Sequence, residues 1–302
     1  MGSERATVLL TGASGFVGGE LLPALKETAP IRCLVRDASR LQGEDRALAV
    51  EADLSDPRSL VPALEGVDEV FYLVHSMEPG GGQEFAEKDR IAAENYVRLA
   101  REAGVRRTIY LGGIGSDEDE SEHLASRREV EGLLEDSAPQ FVGLRASMIV
   151  GAGSASFGTL VRIVSRLPVL ALPEWRDRRT QPIAIADVIQ CLVKARNVEP
   201  GTYEIAGPDN LSFEEMTKVI AKLLGDTHRS FPLPFSNAKL EAAAAAIVTG
   251  EERELLEPLM AGLDGDLVIR ENRAVDVFGV ELTDFADAAR RAIEGMPDEK
   301  TA

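Results

Sequence analysis

The first half of the chain alternates short apolar runs with longer segments in which apolar residues recur at helical spacing. Two helical segments lie at residues 16–28 and 84–103. The apolar runs are ATVLLTG (6–12), IRCLVR (31–36), LAVEADL (48–54), EVFYLVH (69–75), RTIYLGG (107–113) and QFVGLRASMIVG (140–151). Apolar runs separated by helices predict parallel strands in a sheet that helices cover on both faces. We therefore expect residues 1–150 to form a doubly wound α/β domain, which binds its ligand at the carboxyl ends of the strands.

The second half of the chain has a less regular pattern. Helices are expected at residues 154–168, 212–225 and 237–250, a strand followed by a helix in QPIAIADVIQCLVKARN (181–197), and a further strand at 201–207. Pro168 ends the first of these helices, Ser212 caps the second, and a polar residue near Asp187 caps the helix after the short strand. Residues 151–302 are thus expected to form a small C-terminal substrate lobe, some of whose strands return to the main sheet.

Length and composition narrow the class of protein. The 302 residues are 44% hydrophobic, which suffices for a large core in one or two domains. No apolar run approaches the roughly 18 residues that cross a bilayer. The amino-terminal stretch lacks the long apolar region and cleavage site of a signal peptide, so we expect a cytoplasmic protein. Cys33 and Cys191 both lie in apolar runs, which favours two buried thiols over a disulfide.

The net charge of −18 argues against nucleic acid as a partner, because a polyanionic surface repels phosphates. A small-molecule ligand remains compatible with it, since a local basic pocket can persist inside an acidic surface. Only seven of the 33 basic residues are lysine. This balance is typical of a salt-tolerant protein, whose self-repulsion is screened, and equally of an acidic protein from a GC-rich genome. Oligomeric state leaves no signal in the sequence.

A glycine-rich motif, TGASGFVGG, joins the first expected strand to the first expected helix. Gly12 is expected to make the tight turn, Gly15 to let a pyrophosphate approach the backbone, and Gly18 to let helix and strand pack closely. The amides of the helix N-terminus, around Phe16 and Val17, would then face the diphosphate, with Ser14 beside it. The alternative is an ordinary turn with three glycines, which the strand-to-helix context disfavours.

The end of the second expected strand bears on the choice of dinucleotide. Arg36 stands where an NAD-preferring site has an acidic residue that binds the ribose, and a guanidinium suits a 2′-phosphate. Asp37 alongside offers a ribose acceptor instead. We favour NADP(H) over NAD(H). Asp53 and Leu54, after the third strand, are expected to border the adenine, although an acid in that position can also simply cap a turn.

Residues 6–210 resemble, in order, an atypical or extended short-chain dehydrogenase/reductase. The similar stretches are TGASGFVG, VRD, ADLSD, AAENYVRLAREAGVRRTIYLGG and LRASMIVGAGSASF. YLVHSM, HLASR and RRTQPIAIADV are similar to the NAD(P)-binding, nucleoside-diphosphate-sugar-epimerase-like subgroup. The resemblance implies a Rossmann fold and a nicotinamide dinucleotide, with Val74, Gly112, Ser147 and Met148 near the cofactor. It does not transfer a substrate.

The chain departs from that family at its catalytic pattern, Tyr-x-x-x-Lys. None of the four tyrosines is followed by lysine four residues on, and His123 and Arg127 occupy the expected place. A histidine can transfer a proton near neutral pH, and an arginine can hold a ribose hydroxyl. Five acidic residues precede His123, which is equally typical of a solvated helix start. Arg127 is a candidate both for catalysis and for cofactor binding.

Two further regions carry candidate chemistry. His75, at the end of the fourth strand, is a third catalytic candidate, although polar residues at strand ends often only satisfy the backbone. The stretch PEWRDRRTQP (173–182) combines the single tryptophan with arginines and aspartates, and it forms either one wall of a substrate pocket or a surface loop. No cysteine or histidine cluster has the spacing of metal ligands, so no metal is expected.

Three functions are compatible with these residues. The leading interpretation is an NADP(H)-dependent oxidoreductase that acts on a small carbonyl, alcohol or enone. The alternative is a non-catalytic NAD(P)-binding redox sensor or assembly factor, which the missing Tyr-x-x-x-Lys pattern favours. A sugar-nucleotide epimerase shares the fold but would be expected to need the tyrosine.

Overall fold

A computed structural model describes residues 6–75, 82–115, 122–167, 169–172, 174–225, 229–232, 246, 250, 266–269 and 271–297. Its main sheet has seven strands, all parallel, in the order β11-β6-β5-β4-β1-β2-β3. These are β1 Val8–Thr11, β2 Ile31–Val35, β3 Ala49–Glu51, β4 Glu69–Tyr72, β5 Arg107–Gly113, β6 Gln140–Ala146 and β11 Gly201–Ile205. The strand order reverses beside β1, which places the switch point of the sheet at the end of that strand.

Helices cover both faces of the sheet, as the apolar pattern predicted. On one face, α1 and α6 pack over Val8, Leu10 and Phe71, which have no exposed surface. On the other, α2, α3 and α4 pack over Leu9, Val70 and neighbouring residues. The helices are α1 Phe16–Lys26, α2 Pro57–Leu64, α3 Gly82–Ala103, α4 Glu122–Leu134, α5 Ala155–Arg166, α6 Ile185–Lys194, α7 Phe213–Leu223, α8 Arg273–Asp276 and α9 Phe285–Gly295.

The chain after residue 150 builds a third apolar cluster and also completes the main sheet. Phe157 of α5 and Phe285 of α9 pack edge to face, with ring centroids 6.3 Å apart, and α7 joins them. β11 returns to the main sheet beside β6. Paired short strands complete this part: β7 Ile149–Val150 with β10 Ile183–Ala184, β9 Arg179–Thr180 with β12 Leu211–Ser212, and β8 Val169–Leu172 with β13 Arg229–Pro232.

A partly buried ion pair between α4 and β6 also forms a hydrogen bond to β11. The carboxylate of Glu131, on α4, accepts two hydrogen bonds from Arg145 of β6, at 3.0 Å from Nε and 2.9 Å from Nη2. It also accepts one from the hydroxyl of Thr202 on β11, at 3.1 Å. Glu131 is only 3% exposed, so these three donors provide the hydrogen bonds that its charge requires in the interior.

Several local expectations are confirmed. Ser212 caps α7 with a reciprocal capping box to Glu215. The helix predicted to begin at residue 154 has Ser154 as its cap. Cys33 and Cys191 are free thiols without exposed surface, and burial raises their pKa to about 11 and about 12.

Other expectations were wrong in detail. No polar residue caps α6, because the helix begins at Ile185 with Ala184 as its N-cap, and Asp187 lies within its first turn. The carboxylate of Asp187 instead accepts hydrogen bonds from the backbone N–H and hydroxyl of Thr283. The run at 140–151 is two strands, β6 and β7, because residues 147–148 leave the sheet. The helix predicted at 237–250 lies almost wholly outside the described residues. Within the described residues, no helix is both long and apolar enough to cross a membrane.

Candidate functional site

The glycine motif forms a tight turn between β1 and α1. Gly12 has φ +68°, a backbone conformation that favours glycine, and its carbonyl accepts from the N–H of Gly15 at 2.9 Å. A Cβ on Gly18 would lie 2.1 Å from the carbonyl oxygen of Gly12, so only glycine lets the helix pack on its own turn. α1 has neither a side-chain cap nor an acidic residue in its first turn. An anion is therefore the favourable occupant of this helix end, which fits the diphosphate of a dinucleotide.

A cavity of about 420 Å³ opens from this turn across the carboxyl ends of the central strands. Its walls combine strand ends of the first half of the chain with segments of the second half. The described lining residues are Gly12, Gly15, Phe16, Val17, Gly18, Leu73, His75, Leu111, Gly112, Gly113, Ile114, Leu124, Arg127, Ala146, Ser147, Met148, Ile149, Gly153, Ser154, Ala155, Ser156, Thr180, Phe213 and Leu267. Most are apolar, and no aspartate or glutamate stands among those described.

Phe16 joins the two halves of the cavity wall. A Cβ on Gly151 or Gly153 would lie 2.6 Å or 2.8 Å from the ring of Phe16, so both positions accommodate that ring only as glycine. These two glycines were not among the residues predicted for the site. The signal was present in GAGSASF, since two glycines precede a serine-capped helix, but its meaning depends on where Phe16 lies.

His75 lies in the cavity wall with both ring nitrogens directed into the protein. Nε2 is 3.1 Å from the carbonyl oxygen of Leu111, so it donates to that oxygen. Nδ1 is shielded from solvent and has no hydrogen-bond partner among the described residues. It lies 3.8 Å from Oδ2 of Asp89 on α3. Burial and the charge of Arg127 lower the pKa of His75, so its imidazole is neutral near pH 7.

Arg127 lines the same cavity from α4. Its Nε is shielded from solvent and has no hydrogen-bond partner among the described residues. Burial lowers the pKa of Arg127, and the neighbouring Tyr110 and Asp89 oppose that effect. An N–H of a cation without an acceptor is costly in the interior, so the geometry is suited to an oxygen supplied by a ligand. A ribose hydroxyl or a carbonyl would serve.

The tyrosines are not arranged as acids for this cavity. Tyr72, Tyr96 and Tyr110 are at most 1% exposed, and burial raises the pKa of each well above its ordinary value of 10.0. The hydroxyl of Tyr110 donates to the backbone carbonyl of Arg127 at 3.0 Å, and that of Tyr96 contacts Thr108 at 2.8 Å. Neither is among the described cavity residues.

Ser147 and Thr180 place two hydroxyls in the cavity wall, with their oxygens 3.1 Å apart. Thr180 belongs to the stretch 173–182, expected to form either a pocket wall or a surface loop, and it is the described residue through which that stretch reaches the cavity. Arg179 instead points to Asn210, with Nε donating to Oδ1 at 2.8 Å. The side chain of Trp175 lies outside the described residues.

The end expected to hold adenosine contains the charged residues after β2. Asp37 caps the short helical turn at 38–40 by accepting from the N–H of Ser39. Asp53 accepts from both the N–H and the hydroxyl of Ser55. Burial acts to raise the pKa of Asp53, but these hydrogen bonds and the charge of Arg36 lower it below its ordinary value. Arg36 is thus close enough to Asp53 for their charges to interact. Asp37 and Asp53 each accept hydrogen bonds within their own turns.

The structure brings together ten of the residues predicted for the site: Gly12, Gly15, Phe16, Val17, Gly18, His75, Gly112, Arg127, Ser147 and Met148. Ser14 is exposed beside the turn, and Val74 packs on the core beneath the strand ends. Leu54 is buried, and its carbonyl accepts from Asn95 at 3.0 Å. His123 lies on α4, but its side chain is outside the described residues. Among the residues described, no group of three potential ligands could hold a metal ion.

Comparison with known proteins places this geometry in a class. A family model for NAD(P)H-binding domains matches residues 12–149. The chain is 27% identical over 251 residues to the (4-alkanoyl-5-oxo-2,5-dihydrofuran-3-yl)methyl phosphate reductase of Streptomyces griseus, covering 80% of each chain. It is 28% identical over 245 residues to the sanguinarine reductase of Eschscholzia californica, covering 65% of this chain and 86% of the relative.

A nucleoside-diphosphate-sugar epimerase from Staphylococcus aureus has the same fold, with a TM-score of 0.77 at 17% identity over 94% of this chain and 99% of that one. The fold and the glycine turn define an NAD(P)H-binding Rossmann protein. Within that class, the chain is similar to proteins named as reductases, and it shares its fold with a nucleoside-diphosphate-sugar epimerase. The Rossmann fold and the NAD(P)H-binding domain that the resemblance implied are confirmed.

Proposed function

We propose that the protein is an NADP(H)-dependent oxidoreductase that reduces a small, largely apolar carbonyl compound or enone. One observation carries the proposal: a single cavity runs from the glycine turn to apolar walls formed by Met148 and Phe213. Such a cavity can hold a nicotinamide and an apolar substrate side by side. The relatives named as reductases support the same reaction type. A cytoplasmic location remains part of this proposal.

A bound reduced nicotinamide would supply the hydride, and the anion left on the substrate would take up a proton from solvent as the product leaves the apolar site. The residues of this chain would provide position and electrostatics. Gly12, Gly15 and Gly18 would hold the diphosphate against the N-terminus of α1. Arg127, whose Nε has no acceptor within the described part of the chain, would donate to the nicotinamide ribose. The apolar walls would exclude water from the reacting carbonyl.

His75 has a different role in this proposal from the catalytic one considered from the sequence. Because Nε2 donates to Leu111 and Nδ1 faces Asp89, neither nitrogen is directed at a substrate. The bond to Leu111 joins the ends of β4 and β5 beyond the point where their ladder stops. His75 would therefore position the strand end that carries Gly112 in the cavity wall.

The preference for NADP(H) rests on charge at the end of β2. Both acids that could bind a ribose diol, Asp37 and Asp53, accept hydrogen bonds within their own turns. The cations of Arg40 and Arg46 lie near enough to Asp37 to contribute to its lowered pKa, after the larger effect of its hydrogen bonds from Ser39. Arginines around engaged carboxylates favour a 2′-phosphate over a diol.

The cofactor preference is tested by titrating NADPH and NADH against an Arg36→Ala variant. We expect NADPH binding to weaken about tenfold or more, and NADH binding to change less than about twofold. Arg290→Ala on α9 is the matched control, because it also removes an exposed arginine, and both nucleotides should bind it as before. Equal losses for NADPH and NADH in Arg36→Ala would contradict the preference.

The reaction is tested by following NADPH absorbance with 4-phenylbut-3-en-2-one, menadione and cyclohexanone. Oxidation of NADPH that depends on one of these compounds supports a reductase. Tight NADPH binding without oxidation by any of them would instead favour the non-catalytic redox sensor or assembly factor.

A further inference from the structure

The hydroxyl pair of Ser147 and Thr180 is a feature of the cavity that the proposed function has not used. Ser147 follows β6, and its N–H donates to the carbonyl of Ile205 on β11 at 3.1 Å. Thr180 ends β9, whose partner strand is β12. The pair therefore joins the end of a main-sheet strand to a short strand of the second half of the chain. Both residues line the same cavity as the glycine turn.

The burial of the two residues fixes the direction of their hydrogen bond. Thr180 has no exposed surface, and its hydroxyl has Ser147 as its partner among the described residues. If Ser147 donated to Thr180, the hydroxyl hydrogen of Thr180 would be buried without an acceptor among the described residues, which costs about 1–3 kcal/mol. The arrangement of lower free energy therefore has Thr180 donating to Ser147. The hydrogen of Ser147, which is 5% exposed, is then left to point into the cavity.

We propose that Ser147 is a catalytic residue that donates a hydrogen bond to the substrate carbonyl oxygen, and that Thr180 is the positioning residue that orients it. This inference rests on the proposed function. A donor held in place beforehand is effective where negative charge develops on an oxygen, because it needs no reorganisation. Of the other polar side chains in the cavity wall, His75 faces the protein and Arg127 is assigned to the ribose. Ser154 caps α5, and its hydroxyl lies 3.4 Å from that of Ser156.

The same walls identify the class of substrate. With no carboxylate among the described lining residues, the cavity offers no counter-charge for a cation. A hydroxyl is a weak acid, so it suits a substrate whose charge is delocalised as the hydride arrives. That description fits a neutral conjugated carbonyl, such as an enone or quinone, whose reduction produces an enolate or its equivalent, better than an isolated ketone.

The test compares Ser147→Ala, Thr180→Val, Thr180→Ser and the double variant Ser147→Ala/Thr180→Val. Thr180→Val keeps the shape of the side chain and removes the hydroxyl, whereas Thr180→Ser keeps the hydroxyl. Thr217→Val is the control, because Thr217 is a buried threonine on α7 whose hydroxyl bonds its own helix at 2.8 Å. Turnover is measured with NADPH and 4-phenylbut-3-en-2-one, and NADPH affinity by the fluorescence of the bound nucleotide.

We expect Ser147→Ala and Thr180→Val each to lower kcat about tenfold or more, with the Kd of NADPH changed by less than about twofold. Thr180→Ser should restore most of kcat. The double variant should be no slower than Ser147→Ala, because Thr180 acts through Ser147. Thr217→Val should retain kcat. The enone should be reduced with a larger kcat/KM than cyclohexanone.

Three results would overturn the inference: an unchanged kcat in Ser147→Ala, a Thr180→Ser variant as slow as Thr180→Val, or a loss confined to NADPH affinity, which would assign Ser147 to the cofactor. If the wild type reduces none of the compounds, the proposed function itself fails. The inference is then decided by binding of 4-phenylbut-3-en-2-one to the NADPH complex, followed by fluorescence quenching. A Kd about tenfold higher in Ser147→Ala supports the hydrogen bond, and an unchanged Kd refutes it.

Discussion

Replacing Gly18 by alanine tests the packing on which the nucleotide turn depends. The added Cβ would lie 2.1 Å from the carbonyl oxygen and 2.7 Å from the carbonyl carbon of Gly12. Both atoms are backbone, and Gly12 is held in its turn at φ +68° with the N–H of Gly15 on that same oxygen. Helix and turn must therefore move apart by about 1 Å before a normal contact is restored, in a region that is packed at the density of a crystal.

The cost of this movement follows from two opposing terms. Overpacking of a well-packed site destabilises by about 1–3 kcal/mol, whereas alanine in place of glycine within a helix stabilises by about 0.5–1 kcal/mol. We expect Gly18→Ala to lower the free energy of unfolding by about 1–2 kcal/mol. NADPH affinity should also fall about tenfold or more, because the displaced turn carries the amides that face the diphosphate.

Gly19→Ala is the matched control, since it lies one residue further along the same helix. Its Cβ would have its nearest neighbour, the carbonyl oxygen of Ala13, at 3.8 Å, an ordinary contact. This variant should gain about 0.5–1 kcal/mol and bind NADPH as the wild type does. Urea denaturation followed by circular dichroism measures both stabilities. Equal stability and NADPH affinity in Gly18→Ala and Gly19→Ala would refute the reasoning.

Three further outcomes follow from buried polar groups. The pKa of His75 in the folded protein lies below its ordinary value of 6.5, so as the pH falls His75 is protonated in the unfolded chain before it is protonated in the folded one. The free energy of unfolding should therefore fall as the pH drops below 6.5. His75→Gln should remove that part of the slope in urea titrations at several pH values, and an identical slope would contradict it. Cys33 and Cys191 should react with Ellman's reagent only after denaturation, and a rapid native reaction would contradict their burial. Glu131→Ala should lower the free energy of unfolding, measured by urea denaturation, by about 1–3 kcal/mol. This is less than the loss of a fully buried ion pair would cost, because the side chain of Arg145 is 34% exposed. An unchanged free energy of unfolding would mean that the ion pair does not stabilise the fold.

Structural features that depend on residues close together in the chain could be predicted from the sequence. The alternation of apolar runs with helices anticipated the parallel sheet, because strands buried on both faces are continuously apolar. The spacing of Gly12, Gly15 and Gly18 anticipated the turn, because the steric requirement arises within seven residues of chain. Ser212 was recognisable as a cap for the same reason, since its partner Glu215 is three residues away.

Features that depend on residues far apart in the chain could not be predicted in the same way. The glycine requirement at Gly151 and Gly153 arises from the ring of Phe16, more than 130 residues earlier. The contact between the hydroxyls of Ser147 and Thr180 joins residues 33 positions apart in the chain. His75 could be identified as a candidate by residue type and strand position, but the direction of its ring depends on Asp89 and on the carbonyl of the adjacent strand.

The position of β11 decides what a shortened version of this protein could do. The NAD(P)H-binding match ends at residue 149, yet the sheet is completed by β11 at residues Gly201–Ile205. In a fragment ending near residue 150, β6 would be an exposed edge strand. Its unpaired amides and carbonyls would promote pairing between molecules. The fragment would also leave Arg107 without the carbonyls of Ala195 and Val198 that accept from its Nη1. Cofactor affinity measured on such a fragment would therefore be dominated by aggregation. The shortest fragment suited to that measurement must extend past Ile205.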